Sequence, residues 1–115
     1  LDIVTALSGS GPAYFFLLME QMIEAGIAEG LSPEIARELV VETALGSAKM
    51  ASMSIDNPKI LRENVTSPGG TTEAALDVFY ERGFVKTVAE AIKSAQLRSK
   101  EISEDLVKEF KSREK

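Results

Sequence analysis

The chain has 115 residues, of which 44% are hydrophobic and 27% charged, and its formal net charge is −5 at pH 7. This composition is typical of a folded globular domain, and the acidic balance argues against nucleic acid or an anionic membrane surface as a partner. Cysteine and histidine are both absent. Their absence excludes disulfides, thiol nucleophiles, imidazole bases and the commonest zinc ligands, so no metal site is predicted and any chemistry must use hydroxyls, carboxylates, amines or backbone groups.

The first residues of the chain show no targeting signal. They lack the basic region that precedes the apolar core of a signal peptide, so a cytoplasmic protein is expected. The longest apolar run, Ala13 to Met19, is much shorter than the ~20 residues of a membrane-spanning helix, so no span is predicted. Because the chain begins at Leu1 without a methionine, we expect it to be part of a longer protein.

The first predicted helix runs from Pro12 to about Glu29. Proline is favoured in the first turn of a helix, and Gly30 is placed to end it. Apolar side chains spread around more than one face of this helix, which predicts burial on most sides. In a domain this small, we expect a neighbouring subunit to supply part of that cover.

The second predicted helix starts with a Ser32 cap and Pro33 and continues to about Ser54. Its apolar residues alternate with a stripe of small ones that lets another helix approach closely: Ala44, Gly46, Ser47, Ala48 and Ala51. Two interpretations are open for this stripe. It packs in the core of the chain, which is the usual role of such a stripe, or it crosses a subunit interface.

The remaining helices are predicted from the same signals. A short third helix, Lys59 to Asn64, follows an Asn57-Pro58 cap, a fourth runs from about Thr71 to a C-cap at Gly83, and a last one spans about Lys86 to Phe110. No segment alternates as a strand does. The predicted fold class is therefore all-α, a single domain built as a helical bundle of about five helices.

One segment has the composition of a shaped loop that binds a ligand. Residues Val65 to Thr72 read VTSPGGTT and lead directly into a helix. Glycines let a ligand approach the backbone, while a helix start presents unpaired N–H groups and a partial positive charge, which together predict an anion site. The hydroxyls of Ser67, Thr71 and Thr72 add directed hydrogen bonds. The alternative, favoured on spacing alone, is that Ser67 or Thr71 simply caps the helix and the glycines form a turn.

A second glycine- and serine-rich loop is predicted at Ser8 to Ala13, directly before the first helix. It offers the same combination of flexible backbone and helix start. Neither loop has the lysine and spacing of a P-loop or the GxGxxG spacing of a dinucleotide fold, so each is weak evidence alone.

The same two segments resemble a known family. LSGSGPAYFF at Leu7 to Phe16 and LRENVTSPGGTTEAALDVF at Leu61 to Phe79 are similar to the pyrroline-5-carboxylate reductase signature, and the resemblance covers the chain apart from the tail after about Ser103. It implies the C-terminal helical domain of an enzyme that forms an interlocked homodimer and often a decamer, a ring of five dimers. An N-terminal Rossmann domain, absent from this chain, would hold NADPH or NADH. The substrate implied is a cyclic imine carboxylate, and the product is L-proline.

The resemblance also implies roles for individual residues. It places the substrate carboxylate against Ser67, Gly69, Gly70, Thr71 and Thr72. Thr72 matches the threonine whose hydroxyl reaches the imine nitrogen, and it is the predicted catalytic residue, with orientation of the imine as its favoured role. The residues implied to lie near the nicotinamide are Gly11, Pro12 and Ala13. Without the nucleotide-binding domain, the chain alone is expected to dimerise but not to catalyse reduction of the substrate.

Two alternatives belong to other functional classes. The first is a structural dimerisation module in which both glycine loops are only caps. The second is the helical half of another hydroxy- or keto-acid dehydrogenase. Such dehydrogenases usually depend on a lysine that projects from a helix, and Lys49 would be that lysine. Glu63, just before the loop, is expected to be a solvated carboxylate and not part of a site.

Overall fold

The computed structural model describes residues 1–114, and this part of the chain is all-α, as predicted. It contains no strand within that range. A π-helical segment, Thr5–Gly9, separates the first two of six α-helices, whose bounds are α1 Asp2–Val4, α2 Gly11–Ala28, α3 Pro33–Met53, α4 Pro58–Asn64, α5 Thr71–Glu81 and α6 Phe84–Glu114.

The predicted caps of α3 and α4 are confirmed. The Ser32 hydroxyl accepts a hydrogen bond from the Ile35 amide at 3.3 Å, and the Asn57 side-chain oxygen accepts one from the Ile60 amide at 3.0 Å. Each cap is followed by a proline in the first helical position. A side-chain oxygen thus satisfies one of the amides that a helix start leaves unpaired, and the following proline has no amide to satisfy.

The glycine that ends α2 is also confirmed. Gly30 has a φ of +112°, a left-handed conformation that other residues rarely adopt. The Leu31 amide reaches back to the Gly26 carbonyl at 3.1 Å, which is the backbone hydrogen bond of a Schellman ending. The chain therefore turns sharply from α2 into α3.

The predicted loop at Ser8 to Ala13 is wrong. Thr5–Gly9 is a π-helical turn, in which the Ser10 amide donates to the Thr5 carbonyl at 2.8 Å, and α2 begins at Gly11. The Tyr14 hydroxyl donates to the Ala6 carbonyl at 2.7 Å and stabilises this turn from eight residues away. Glycine and serine therefore occupy a wide helical turn here.

The last helix is longer than predicted at both ends. At its start, the ring of Phe84 packs edge-on against Phe79, with 5.2 Å between ring centroids and 70° between planes. At its end, Arg113 pairs with Glu109 at 2.7 Å, one turn apart. The helix α6 is therefore Phe84–Glu114, beyond the span that its apolar spacing indicated.

The chain divides into two compact units. The first comprises Leu1–Tyr14 and the described residues from Phe79 onward, and in it α6 packs against α1 and the π-helical segment. Ala6, on that segment, is fully buried. The Ser99 hydroxyl of α6 donates to the Asp2 carboxylate at 2.9 Å, so a polar contact joins the two ends of this unit.

The second unit is Phe15–Val78. In it α2 and α3 approach closely at Gly26: a Cβ added to this glycine would lie 3.4 Å from the Leu31 side chain and 3.6 Å from Ala36. Ala36 is 1% exposed, and it and Ala6 are the buried hydrophobic side chains of the described residues. Alanine would fit at this position in ordinary contact, but a larger side chain would crowd Leu31 and Ala36.

Most large apolar side chains of the single chain remain exposed to solvent. Examples are Phe16 of α2, at 65% exposure, and Leu45 of α3, at 68%. The small-residue stripe of α3 around Gly46 is uncovered as well, because nothing lies within 4 Å of a Cβ added there. The interpretation that this stripe packs in the core of its own chain is therefore wrong for the described residues.

One helical stretch has the length and composition of a membrane span. Asp2–Ala28 reaches a mean hydropathy of 1.2 over 18 residues, whereas the uninterrupted apolar run in the sequence is only Ala13 to Met19. The structure joins α1, the π-helical segment and α2 into one stretch, and its window is 11% buried within this chain. An apolar helix that packs in a protein core passes the same test, so length and composition do not decide between the two environments.

Candidate functional site

The VTSPGGTT segment forms an exposed turn between α4 and α5. Its first part is anchored to the end of α4 by Thr66. The Thr66 hydroxyl donates to the Arg62 carbonyl at 2.6 Å, and its amide donates to the Glu63 carbonyl at 3.1 Å. These bonds satisfy carbonyls that the end of α4 would otherwise leave unpaired, so the turn starts from a defined position.

The two glycines of the turn are required for different reasons. Gly69 has a φ of +74°, in the left-handed region that strains other residues. At Gly70 the φ is not unusual, but an added Cβ would lie 3.3 Å from the Ser67 carbonyl oxygen, which is tighter than ordinary contact. The Gly70 amide donates to that same oxygen at 3.1 Å. The backbone therefore closes tightly between Ser67 and Gly70.

The start of α5 presents open backbone amides. The first helical hydrogen bond is donated by Ala74 to the Gly70 carbonyl at 3.2 Å. Within residues 1–114, the amides of Thr71, Thr72 and Glu73 have no acceptor. Three unpaired N–H groups at the positive end of a helix dipole form a surface that suits an anionic group.

The three predicted hydroxyls surround these amides and do not cap the helix. Ser67 and Thr71 are exposed and Thr72 is half-buried. None of the three hydroxyls forms a hydrogen bond with another group of the described chain. The residue before α5 is Gly70, which has no side chain. The simpler interpretation, in which Ser67 or Thr71 caps α5, is therefore wrong, and the hydroxyls are available to a ligand.

Glu73 contacts this turn, although it was not among the residues predicted for the site. Its carboxylate folds back from the first turn of α5 and accepts a hydrogen bond from the Gly69 amide at 3.2 Å. An acid at the third position of a helix is a signal for such back-bonding: in a capping box it accepts the N-cap amide, whereas Glu73 accepts the amide one residue earlier. The side chain is half-buried.

The residues implied to contact the nicotinamide lie at the start of α2. Gly11 is buried, while Pro12 and Ala13 are exposed. Proline has no N–H, and the Ala13 amide already donates to the Ser10 carbonyl at 3.1 Å. The amide of Ala13 is therefore not free for a ligand, and the role of the three residues beside a cofactor stays a prediction.

Two further charged residues considered from the sequence have side chains that form no hydrogen bond with the described turn. Glu63 is exposed at the end of α4, as expected for a solvated carboxylate. Lys49 is exposed on α3, and its ammonium group forms no salt bridge with the described residues.

Comparison with known proteins decides the family. The family model described as pyrroline-5-carboxylate reductase dimerisation matches residues 1–102 of the chain. The chain belongs to the pyrroline-5-carboxylate reductase family. The two signature strings at Leu7 to Phe16 and Leu61 to Phe79 both lie within the matched region. Another dehydrogenase family that works through Lys49 is thereby excluded.

Relatives in the family are similar along nearly the whole chain. The chain is 54% identical to the pyrroline-5-carboxylate reductase of Pseudomonas aeruginosa over 106 residues, which cover 92% of this chain and 39% of that protein. It is 46% identical to pyrroline-5-carboxylate reductase 1 of Bacillus subtilis over 108 residues, covering 94% and 36% respectively. The chain thus spans less than two fifths of the length of these relatives.

Solved structures of the family have the same helical fold. The 1-pyrroline-5-carboxylate reductase of Streptococcus pyogenes superposes with a TM-score of 0.84 at 37% identity, over 87% of this chain and 39% of that one. The Plasmodium falciparum pyrroline carboxylate reductase, solved with NADP bound, superposes with a TM-score of 0.82 at 41% identity, over 86% and 38%. The all-α class predicted from the sequence is confirmed.

Proposed function

We propose that this chain is the C-terminal, substrate-holding and dimer-forming part of a reductase that converts 1-pyrroline-5-carboxylate to L-proline with NADPH or NADH. The observation that carries the proposal is the open start of α5. Three amides without acceptors, those of Thr71, Thr72 and Glu73, lie beside hydroxyls that bond to nothing else in the described chain. A substrate carboxylate supplies the negative charge and the acceptors that this surface lacks.

In the proposed reaction, the turn holds and orients the substrate. The carboxylate accepts hydrogen bonds from the open amides and from the hydroxyls of Ser67 and Thr71. The Thr72 hydroxyl, half-buried at the same helix start, donates to the imine nitrogen and fixes the face of the C=N bond that reacts. Such orientation lowers the barrier because the reacting atoms are already in position.

The nicotinamide supplies the hydride when bound, and the carbon of the C=N bond receives it while the nitrogen gains a proton. The described residues contain no strand that could build a dinucleotide fold, so the nucleotide must be held mainly by residues outside this chain. Within this proposal the exposed Pro12 and Ala13 would present apolar surface to the nicotinamide ring. Within this proposal the reductase is cytoplasmic, and the choice between NADPH and NADH stays open.

Exposed apolar surface supports a homodimer. The single chain exposes 9502 Å², whereas a compact monomer of 12.4 kDa exposes roughly 6,100 Å² according to the size scaling of folded proteins. The excess of about 3,400 Å² per chain is enough to supply the roughly 1,000–2,500 Å² or more that each partner buries in an obligate homodimer. We assign that surface, including Phe16 and Leu45, to a second copy of the chain, and a ring of five such dimers is part of the same proposal.

The proposal is tested by an activity comparison between two proteins. The longer reductase that contains this chain should oxidise NADPH or NADH when pyrroline-5-carboxylate is added, with L-proline as the product. The purified 115-residue chain should dimerise but should not oxidise either nucleotide. Turnover by the chain alone, or a longer protein that forms no L-proline, would contradict the proposal.

A further inference from the structure

Glu73 places a carboxylate beside the open amides of the candidate site. It lies in the first turn of the helix whose start, in the proposed function, receives the substrate carboxylate, and its own carboxylate already accepts the Gly69 amide at 3.2 Å. Resting on that proposed function, we propose that Glu73 sets the affinity of the turn for the substrate carboxylate through two opposing effects. Its hydrogen bond holds the turn in the binding conformation, and its negative charge repels the substrate.

The positioning effect follows from the conformation of Gly69. This residue has a φ of +74° and is exposed, so it has wide conformational freedom when nothing holds it. Within the described chain, the Glu73 side chain is the group that accepts its amide. The contact ties the middle of the turn to the first turn of α5 and keeps Gly70 closed on Ser67. Loss of the contact would release the turn and weaken every interaction made there.

The electrostatic effect follows from the position of Glu73 on the helix. The open amides belong to Thr71, Thr72 and Glu73 itself, so a substrate carboxylate bound to them lies within roughly one helical turn, about 5 Å, of the Glu73 carboxylate. Two like charges at that separation repel each other even in water. Glu73 therefore keeps the affinity for an anionic ligand below the level that the amides and the helix dipole alone would support.

Two substitutions separate these effects. Glu73→Gln keeps a side-chain oxygen that accepts the Gly69 amide but removes the charge, whereas Glu73→Ala removes both. In the longer reductase at low salt, Glu73→Gln should lower KM for pyrroline-5-carboxylate by about threefold to tenfold, the range expected for one nearby charge at an exposed site. Added salt should shrink the difference. KM of Glu73→Ala should exceed that of Glu73→Gln by about threefold, the effect of one ordinary hydrogen bond.

A matched variant controls for the loss of charge from α5. Asp77 lies one turn further along the same helix, is exposed and forms no salt bridge within the described residues. Asp77→Asn should leave KM unchanged. A carboxylate-free imine, 1-pyrroline, provides the second control, because Glu73→Gln should not lower its KM.

The outcomes distinguish this inference from the proposed function. If Glu73→Gln leaves KM for pyrroline-5-carboxylate unchanged or raises it, or if it lowers KM for 1-pyrroline equally, the inference about Glu73 is overturned. The proposed function survives that result provided that Thr72→Val still impairs reduction. If the wild-type reductase does not reduce pyrroline-5-carboxylate, both the proposed function and the inference are overturned.

Discussion

The hydroxyl of Ser99 donates a 2.9 Å hydrogen bond to the carboxylate of Asp2, which lies 97 positions earlier in the chain. Ser99 is half-buried on α6, and Asp2 is half-buried at the start of α1. This contact joins the beginning of the chain to its last helix within one compact unit. It also has a single acceptor and a single donor, so its contribution can be measured by removing one atom.

Ser99→Ala should lower the free energy of unfolding by about 1 kcal/mol, because it leaves the Asp2 carboxylate without its partner in a partly buried position. Urea denaturation of the dimer at fixed concentration measures the change. Ser103→Ala is the matched control, since Ser103 is exposed one turn later on α6. Equal effects of the two substitutions would show that the Ser99–Asp2 bond contributes nothing.

The exposed stripe on α3 leads to a prediction about association. Gly46 is exposed, and a side chain added there meets nothing within 4 Å in the single chain. If a second copy covers this stripe, Gly46→Leu should shift the protein from dimer to monomer by blocking close approach of the partner helix. Sedimentation equilibrium of the 115-residue chain measures the shift.

Arg37→Leu provides the control for that experiment. Nine residues before Gly46, Arg37 is exposed on the opposite face of α3, because nine residues correspond to two and a half helical turns. The Arg37→Leu substitution should therefore leave the dimer intact. If the Gly46→Leu protein dimerises as tightly as wild type, the partner subunit must bind to a different surface of the chain.

Substitution of Gly69, in the turn before α5, should be destabilising when the new residue rarely adopts the left-handed conformation. Gly69→Ala should cost about 1–2 kcal/mol of strain, because Gly69 has a φ of +74°. Gly69→Asn should cost less, since asparagine adopts this conformation more readily. Gly69→Ala should lower the free energy of unfolding and raise KM for pyrroline-5-carboxylate more than Gly69→Asn does. A stable, fully active alanine variant would mean that the turn adopts another conformation when substrate binds.

The helix boundaries that sequence predicted best are those set by local chemistry. The Ser32 and Asn57 caps and the Gly30 ending depend on residues within one turn, so their pattern is visible in the sequence. The π-helical segment Thr5–Gly9 was missed because its support is less local: the Tyr14 hydroxyl reaches back to the Ala6 carbonyl. Glycine and serine alone indicated a loop there.

The candidate site was predicted in composition but not in its internal bonds. The glycines and hydroxyls from Ser67 to Thr72 identified the turn, and the structure shows the open amides that the pattern indicated. Glu73 was missed because an acid in the first turn is ordinary on any helix. Sequence also could not decide what covers the apolar faces, since an apolar helix has the same pattern against its own chain and against a partner.

In the proposed function, the turn before α5 holds the substrate, with the Thr72 hydroxyl on the imine nitrogen. The most direct measurement is kcat/KM of the longer reductase carrying Thr72→Val, which keeps the shape of the side chain and removes the hydroxyl. Thr87→Val, at an exposed threonine near the start of α6, is the matched control. We expect kcat/KM for pyrroline-5-carboxylate to fall by about tenfold or more for Thr72→Val, as for a lost hydrogen bond in the transition state, and to stay unchanged for Thr87→Val. A Thr72→Val enzyme as active as the Thr87→Val control would contradict the account.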